Sequence, residues 1–565
     1  MSDFLLKVNA VNFDRFITDT DDLATIRGGG LLLRNATAFV KNVIKAESCN
    51  IITEGNSSFL LLIKEIDDLR AQEYLRTILE HLSSHEKLKY ACFVGAIVEY
   101  DEKKSDVKLN LKELETLCRI RQIQELDLRL PAFNREAVIN INGERNRPRI
   151  FCDIEGVRPR EQKSPQNSAG VLHDPALPEF PRDDAIVNSS VAIRRNHGRE
   201  HKTQLLKEMA GINSDEPLFH LENIGNIENT TWHFDDLTTK YKLNSGNDKE
   251  QVISDPGVPS ALAGKMAIIY LDGNGLSKAE EKASSNLAKL KEWEASLKSH
   301  QQTQVKALLH EVRERPEGWI VTTRSSKLAG YVKQDELENQ LRLEVLLWGG
   351  DDCIWVVPAW KGLEFLEHFF RPVNTQDLGD NFSFSAGVVF ANHKVPIRDT
   401  VSLAARLLSS AKKLNREGSS GNRFAYQILE SFDHVGEDYD RIRNGQLPKS
   451  LSFQDYIINA EQLTLLREAK SRLETKSGQN GIPSTRRRAI LNALYRTGTS
   501  LEEHTTRLAQ VSNLNVEQIR LVRELPYLWN DPVSLSDMTD DPTVMRQFPS
   551  AAVWMHLFNI WDYLV

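Results

Sequence analysis

The sequence predicts an α+β chain: two copies of one βαββαβ, ferredoxin-like unit, an α/β linker domain between them, and an all-α domain at the C-terminal end. Three observations carry this. Strand and helix patterns run in the order βαββαβ across Phe4–Tyr100, the same order returns across Lys265–Phe432, and capped amphipathic helices dominate after about Val435. At roughly 100–200 residues per domain, 565 residues allow three to five domains. Boundaries at 1–100, 101–264, 265–434 and 435–565 give four.

In the first unit FLLKVNAV reads as a strand, and IRGGGLLLRNATAFVKNVI is a Gly-rich entry into an amphipathic helix. CNIITE and SFLLLIKEI are short strands separated by the turn residues Gly55, Asn56 and Ser57. A helix (IDDLRAQEYLRTILEHL) and a strand (YACFVGAIVEY) follow. In the second unit KMAIIYLD is a strand ending in Asp272, and a charged helix is predicted over about Leu276–Val312. LRLEVLLW and CIWVVPAW flank Gly349-Gly350-Asp351-Asp352 as a hairpin. LEFLEHFF (helix), FSFSAGVVF (strand) and VSLAARLLSSAKKL (helix) complete the unit.

Between the units, periodicity is weak and Pro and Asn are frequent, as expected of an inserted or linking domain. Within it Val191–Lys207 carries Arg194, Arg195, Arg199, Lys202 and Lys207 against Glu200, a net +4. This is either a solvated helix face or a strip that contacts RNA or phosphate. After Val435 helices are predicted from Ser484, over Leu501–Ala509, over Val516–Leu525 and at the C-terminus. There Trp554, Leu557, Phe558 and Trp561 recur at helical spacing, the pattern of core or subunit packing.

Composition narrows the class. Hydrophobic residues make up 40%, charged residues 27%, with 30 Gly and 20 Pro, which excludes collagen-like and wholly disordered chains. Lys+Arg 71 against Asp+Glu 79 gives −8, which argues against a globally basic protein that coats nucleic acid and leaves a local basic groove open. The five cysteines (Cys49, Cys92, Cys118, Cys152, Cys353) form no C-x-x-C pair, which points to a reducing compartment and makes zinc an unexpected cofactor. MSDFLLKVNAVNFD has no signal-peptide character, and no stretch reaches the ~20 apolar residues of a membrane span. A soluble cytoplasmic protein is expected.

The sharpest motif is Gly349-Gly350-Asp351-Asp352 between apolar strands, a tetrapeptide expected by chance in about one chain in a hundred of this length. A simple hairpin turn explains the glycines but needs no second Asp, and adjacent carboxylates repel unless a cation compensates. Asp272, followed by Gly273, Asn274 and Gly275, closes a strand that should lie beside this hairpin. Three hard oxygen donors there suit Mg²⁺ or Mn²⁺, with glycines letting triphosphate oxygens approach the backbone. That is a layout for two-metal nucleotidyl transfer. Ser385-Ala386-Gly387 could let a nucleobase or ribose pack closely, and Lys412 could face phosphates; small strand residues and a solvated lysine are the plainer readings.

YLDGNGLSK (270–278), WGGDDCIWVVPA (348–359) and FSAGVVFANHKVPIRDTVSLAARLLSSAKK (384–413) resemble the second palm domain of the large, polymerase-like subunit of type III CRISPR effector complexes, a relative of the GGDEF cyclases. VNFDRFITDTDDLATIRGGGLLL (11–33) is similar to that family's first palm, and LPKSLSFQDYII (447–458) with the helices after it to its C-terminal domain. The resemblance implies a subunit that binds ATP, works with guide RNA, target RNA and neighbouring effector subunits, and makes cyclic oligoadenylate messengers when target RNA pairs with the guide. It implies that Asp272, Asp351 and Asp352 hold metal and catalyse, that Gly349 and Gly350 shape the phosphate site, that Ser385 lines the nucleotide pocket and that Lys412 contacts phosphate. Gly273, Asn274 and Gly275 join the nucleotide-binding set. The first palm, whose hairpin Gly55-Asn56-Ser57-Ser58 lacks acids, would hold a nucleotide without doing chemistry.

Three departures stand out. The family's N-terminal HD nuclease has no counterpart, since the lone His173-Asp174 pair lies in a Pro-rich loop, so DNA cleavage is not expected. Of the family's paired inter-palm cysteines only CDIEGVRPR (152–160) remains. Bulky Trp348 beside the GGDD turn would alter which nucleotide fits. The leading expectation is an RNA-activated nucleotidyltransferase that converts ATP to cyclic oligoadenylates. The alternatives are a catalytically silent scaffold subunit, or a palm cyclase that joins AMP to another acceptor or uses GTP. The Arg486-Arg487-Arg488 cluster reads as a helix start or as a subunit contact.

Overall fold

A computed structural model describes residues 2–11, 16–41, 49–55, 58–102, 106–124, 152, 188–244, 251–329, 332–349, 352–371, 382–416, 421–430, 453–474, 482–496, 506, 510, 514–529 and 552–565. Gly350, Asp351, Asn56, Ser57, the His173-Asp174 pair and nearly all of Leu501–Ala509 lie outside these.

The first unit forms β1 (Ser2–Val11), α1 (Leu23–Arg34), α2 (Ala36–Lys41), β2 (Cys49–Glu54), β3 (Ser58–Ile66), α3 (Asp68–Ser84) and β4 (Cys92–Tyr100). Its antiparallel sheet has the order β2-β3-β1-β4, the ferredoxin-like arrangement expected from the strand and helix sequence. Asp22 and Asp67 start α1 and α3 by accepting the Thr25 and Arg70 amides, which would otherwise lack partners in the first helical turn. Both sheet faces are buried: Phe4, Leu6 and Val8 face α1 and α3, while Leu5, Val94 and Ala96 are covered by α4 (Val107–Gln124).

Two further helices, α5 (Ser189–Glu200) and α6 (Gln204–Ala210), belong to the linking segment, followed by the short ladders Phe219–Leu221 with Gly225–Ile227 and Tyr241–Asn244 with Gln251–Ser254. The strip Val191–Lys207 departs from both expected readings. Arg194, Arg195 and Lys202 are buried, because α5 packs along α1. The helices meet at Gly28 and Gly198, where an added Cβ would lie 1.7 Å from the Arg194 carbonyl oxygen and 1.9 Å from that of Ala24. The buried cations are spent inside the chain: Arg194 on Asp19 at 2.6 Å, Arg195 on Asp22 at 3.2 Å, and Lys202 over the Trp232 ring. Burial alone would push Asp22 up, but the Arg195 guanidinium and the Thr25 hydrogen bonds hold it below the usual carboxylate range.

The second unit comprises β5 (Lys265–Asn274), α7 (Leu276–Ala283), α8 (Leu287–Glu314), β6 (Ile320–Ala329), β7 (Val332–Leu341), β8 (Glu344–Gly349), β9 (Asp352–Pro358), α9 (Gly362–Phe370), β10 (Ser383–Asn392), α10 (Ile397–Arg416), β11 (Arg423–Ile428) and β12 (Ile457–Asn459). Its sheet order, β8-β9-β5-β10-β11-β12, repeats the first unit's arrangement in its first four strands and adds β11 parallel to β10 and β12 antiparallel to β11. The single helix expected over Leu276–Val312 is two helices. Ser284, Ser285 and Asn286 compete with the helical backbone for hydrogen bonds, and Asn286 caps α8 through the Ala288 amide. The β6–β7 hairpin was not expected, since VKQDELENQL offers no apolar alternation.

One face of the second sheet (Ile269, Trp355, Val388) packs on α8 and α9, and the other (Ile268, Val356, Val389) on α10 and on the core of the first unit. The units are locked by Arg27 of α1, whose guanidinium holds Glu344 at the start of β8 through two hydrogen bonds, 2.9 and 2.6 Å; both side chains are almost fully buried.

The C-terminal helices α11 (Ala460–Leu473), α12 (Ser484–Arg496), α13 (Val516–Leu528) and α14 (Ala552–Asn559) close on the α8/α9 side of the second sheet. Trp554, Leu557, Phe558 and Trp561 are all buried in this core. Arg487 lies over the Trp561 ring and pairs with Asp562 at 3.6 Å, so this member of the arginine cluster packs within the chain. Among the described residues no helix is long and apolar enough to cross a membrane.

Candidate functional site

The strand registers of the second unit place its polar residues in one row. Leu271 of β5 pairs with Cys353 of β9 at the end of their antiparallel ladder, and Asp272 and Asp352 are the next residues on the two strands. Asp352 pairs on its other side with Gly349, Asp272 with Ser385, Ser385 with Arg423, and Arg423 with Asn459. Residues directly opposite one another point to the same face. The row Gly349, Asp352, Asp272, Ser385, Arg423, Asn459 therefore crosses all six strands on the α10 face.

Asp272 is 4% exposed, and a carboxylate that deep in the protein requires a counter-charge. Lys412 of α10 supplies it through an ion pair to Asp272 Oδ2, a charge contact rather than a directed hydrogen bond. The reach of Lys412 depends on how closely α10 lies on the sheet. An added Cβ on Gly387 of β10 would sit 1.9 Å from the Ala404 carbonyl oxygen, so this glycine admits the helix backbone. The closeness that Ser385-Ala386-Gly387 suggested for a nucleobase or ribose is, at Gly387, occupied by α10. Two residues beyond Asp272, the Asn274 amide donates to Ser383 Oγ (3.0 Å) and its carbonyl oxygen accepts from Ser385 Oγ (2.9 Å), fixing both serine hydroxyls at the strand ends.

Of the residues singled out in the sequence, Asp272, Asn274, Gly349, Asp352, Ser385 and Lys412 gather at this end of the sheet. Gly273 has Leu276 against its α-carbon, and Gly275, at φ 83°, is the left-handed residue that starts α7. Trp348 is not in the row. Strand alternation turns its indole to the other face, where it is buried, donates to Gln301 Oε1 (3.0 Å) and stacks under Arg34 at 3.8 Å. There it borders a cavity of about 540 Å³ between the two units, lined also by Arg34, Lys41, Glu54, Lys291 and Lys298. Trp348 thus does not narrow the Asp272/Asp352 row. Arg423 was missed. It is half-buried, with its affinity for a proton lowered by burial and partly restored by Glu461, and the alternation in RFAYQI was the available signal for a strand that carries it into the row.

Comparison with known proteins gives one family match: residues 265–420 match the model described as Cas10/Cmr2, second palm domain. No curated protein matches the chain. Among solved structures, the chain is similar to a Csm1-Csm4 cassette in complex with one ATP (14% identity, 100% of this chain and 70% of the other, TM-score 0.49). It is similar as well to Csm1 in T. onnurineus (13% identity, 100% and 69%, TM-score 0.44).

Proposed function

Taking residues 265–420 as a Cas10/Cmr2 second palm domain, we propose that this chain is the nucleotidyltransferase subunit of a type III CRISPR effector complex and converts ATP to cyclic oligoadenylates when target RNA pairs with the guide. The observation that carries the reading is the buried Asp272 beside Asp352, with Lys412 and Arg423 as cations on the same sheet face. A purely architectural sheet gains nothing from two neighbouring carboxylates at one edge.

The donor set fits a hard divalent ion, Mg²⁺ or Mn²⁺, held by Asp272 and Asp352 together with Asp351 of the same turn. The fit rests on donor type and placement: the buried Asp272, ion-paired with Lys412, stands at the same end of the sheet as Asp352. When bound, such ions would activate the attacking 3′-hydroxyl and offset charge on the α-phosphate as pyrophosphate leaves. The chain's own residues do the rest. Lys412 and Arg423 attract and orient the triphosphate. The Ser385 hydroxyl, aimed by Asn274, presents a polar contact to the nucleoside. Gly349, which has no side chain, leaves its backbone open to phosphate oxygens. Neighbouring effector subunits, guide RNA and target RNA would be its partners.

The test is to incubate the assembled complex with ATP or GTP, with Mg²⁺ or Mn²⁺ and with or without target RNA, and to separate products by mass. Oligoadenylates formed from ATP are expected. No product from either triphosphate would point to a scaffold subunit, and AMP joined to a different acceptor, or products from GTP alone, would redirect the reading to another palm cyclase.

A further inference from the structure

The end of α5 reads His197-Gly198-Arg199-Glu200-His201. Positions i, i+3 and i+4 share one helix face, and the ligand atoms of His197, Glu200 and His201 all lie within 4.8 Å of one another, with the imidazole centroids 4.3 Å apart. The His197 ring is 5% exposed, and neither of its nitrogens has a hydrogen-bond partner. A buried imidazole normally satisfies at least one nitrogen, so both left open call for an acceptor of the lone pair or a donor that is absent from the protein itself. His201 and Glu200, 38% and 65% exposed, leave an approach from solvent. The carbonyl end of the helix adds a negative potential that favours a cation there. Lys87 is the opposing charge near His197; it is half-exposed on a flexible stem.

We propose that His197, Glu200 and His201 bind a first-row divalent ion of the zinc type, in an N,N,O set whose fourth position is open to water. Two histidines one turn apart with a carboxylate on the same face match zinc's ligand preferences and preferred coordination number. The ligands are not paired cysteines, so the sequence expectation that zinc is absent, which rested on cysteine spacing, does not reach this site. The ion fastens the last turn of α5 where it meets α1. The carbonyl of Gly198, between the ligands, accepts from Arg27 at 3.2 Å, and Arg27 holds Glu344 at the start of the strand that leads to Gly349.

The experiment uses full-length, metal-free protein carrying Asp351→Ala and Asp352→Ala to empty the acidic row, titrated with cobalt(II) chloride alone. The expected result is a tetrahedral-type Co²⁺ absorption band that saturates at one equivalent, is displaced by Zn²⁺, and is lost on adding His201→Ala or Glu200→Gln, partly exposed positions whose substitution leaves the melting temperature of the metal-free protein unchanged. Absence of the band, its persistence in both variants, or intense thiolate-to-cobalt charge transfer would each overturn the site.

Discussion

Substituting Gly387 by Ala tests how α10 delivers Lys412. The added Cβ would stand 1.9 Å from the Ala404 carbonyl oxygen and 2.5 Å from the Leu408 amide nitrogen, both backbone atoms that no rotamer change can move aside. Real contacts of this kind do not fall below 3.0 Å, so α10 must retreat by at least 1.1 Å. Lys412 lies eight residues along the helix, about 12 Å from Ala404, and a rigid helix carries it away from Asp272 by a comparable distance. A misplacement of about 1 Å at a reacting centre lowers the rate by about 100-fold, and overpacking should cost about 1–3 kcal/mol of stability. The assay is the initial rate of oligoadenylate formation from ATP, with a urea unfolding curve on the same preparation to show that the variant is folded. A folded Gly387→Ala protein whose rate stays within about twofold of the parent would refute the argument that helix approach sets the geometry of the row.

Arg27→Met leaves Glu344 buried without its guanidinium and should lower stability by about 3–5 kcal/mol in urea unfolding, whereas Arg27→Met with Glu344→Leu recovers most of the loss; a single-variant cost under about 1 kcal/mol would contradict the buried lock between the units. Lys412→Ala should reduce product formation by about 10²-fold, with partial recovery in Lys412→Arg; an unchanged rate would remove Lys412 from phosphate contact. Burial raises the Asp236 carboxyl to about 6 despite the nearby Lys202. Between its ordinary value of 3.8 and about 6 the folded chain keeps a proton that the unfolded chain has released, so stability falls as pH rises through that window. Thermal unfolding across it should show this fall in the parent and a flatter profile in Asp236→Asn; identical profiles would contradict the assignment.

The sequence exposed what apolar alternation and turn chemistry encode locally. Both βαββαβ units were readable because each strand, such as KMAIIYLD or CIWVVPAW, is a short apolar run between turn signals, and Asp272 and the GGDD turn were readable because charged residues at strand ends stand out from such runs. Long-range register was not. The strand of Asp272 was expected beside the GGDD hairpin, but that Asp272 pairs with Ser385, and Ser385 with Arg423, depends on pairing between strands far apart in the chain. The same limit explains the basic strip at Val191–Lys207: charge counts favour solvent, but Gly28 and Gly198 let two helices close together, and Asp19 and Asp22 pair with the buried arginines. At Gly387 the plainer of the two readings holds, since the backbone of α10 takes the space beside this small strand residue.

The central claim is that the Asp272/Asp351/Asp352 end of the second palm transfers nucleotides. Its most direct test compares the parent complex with the Asp351→Ala, Asp352→Ala double variant, each incubated with ATP and Mg²⁺ or Mn²⁺ in the presence of target RNA, with products resolved by mass. The account predicts oligoadenylates from the parent and none from a double variant that still assembles; oligoadenylates from the double variant at the parent's rate would contradict it.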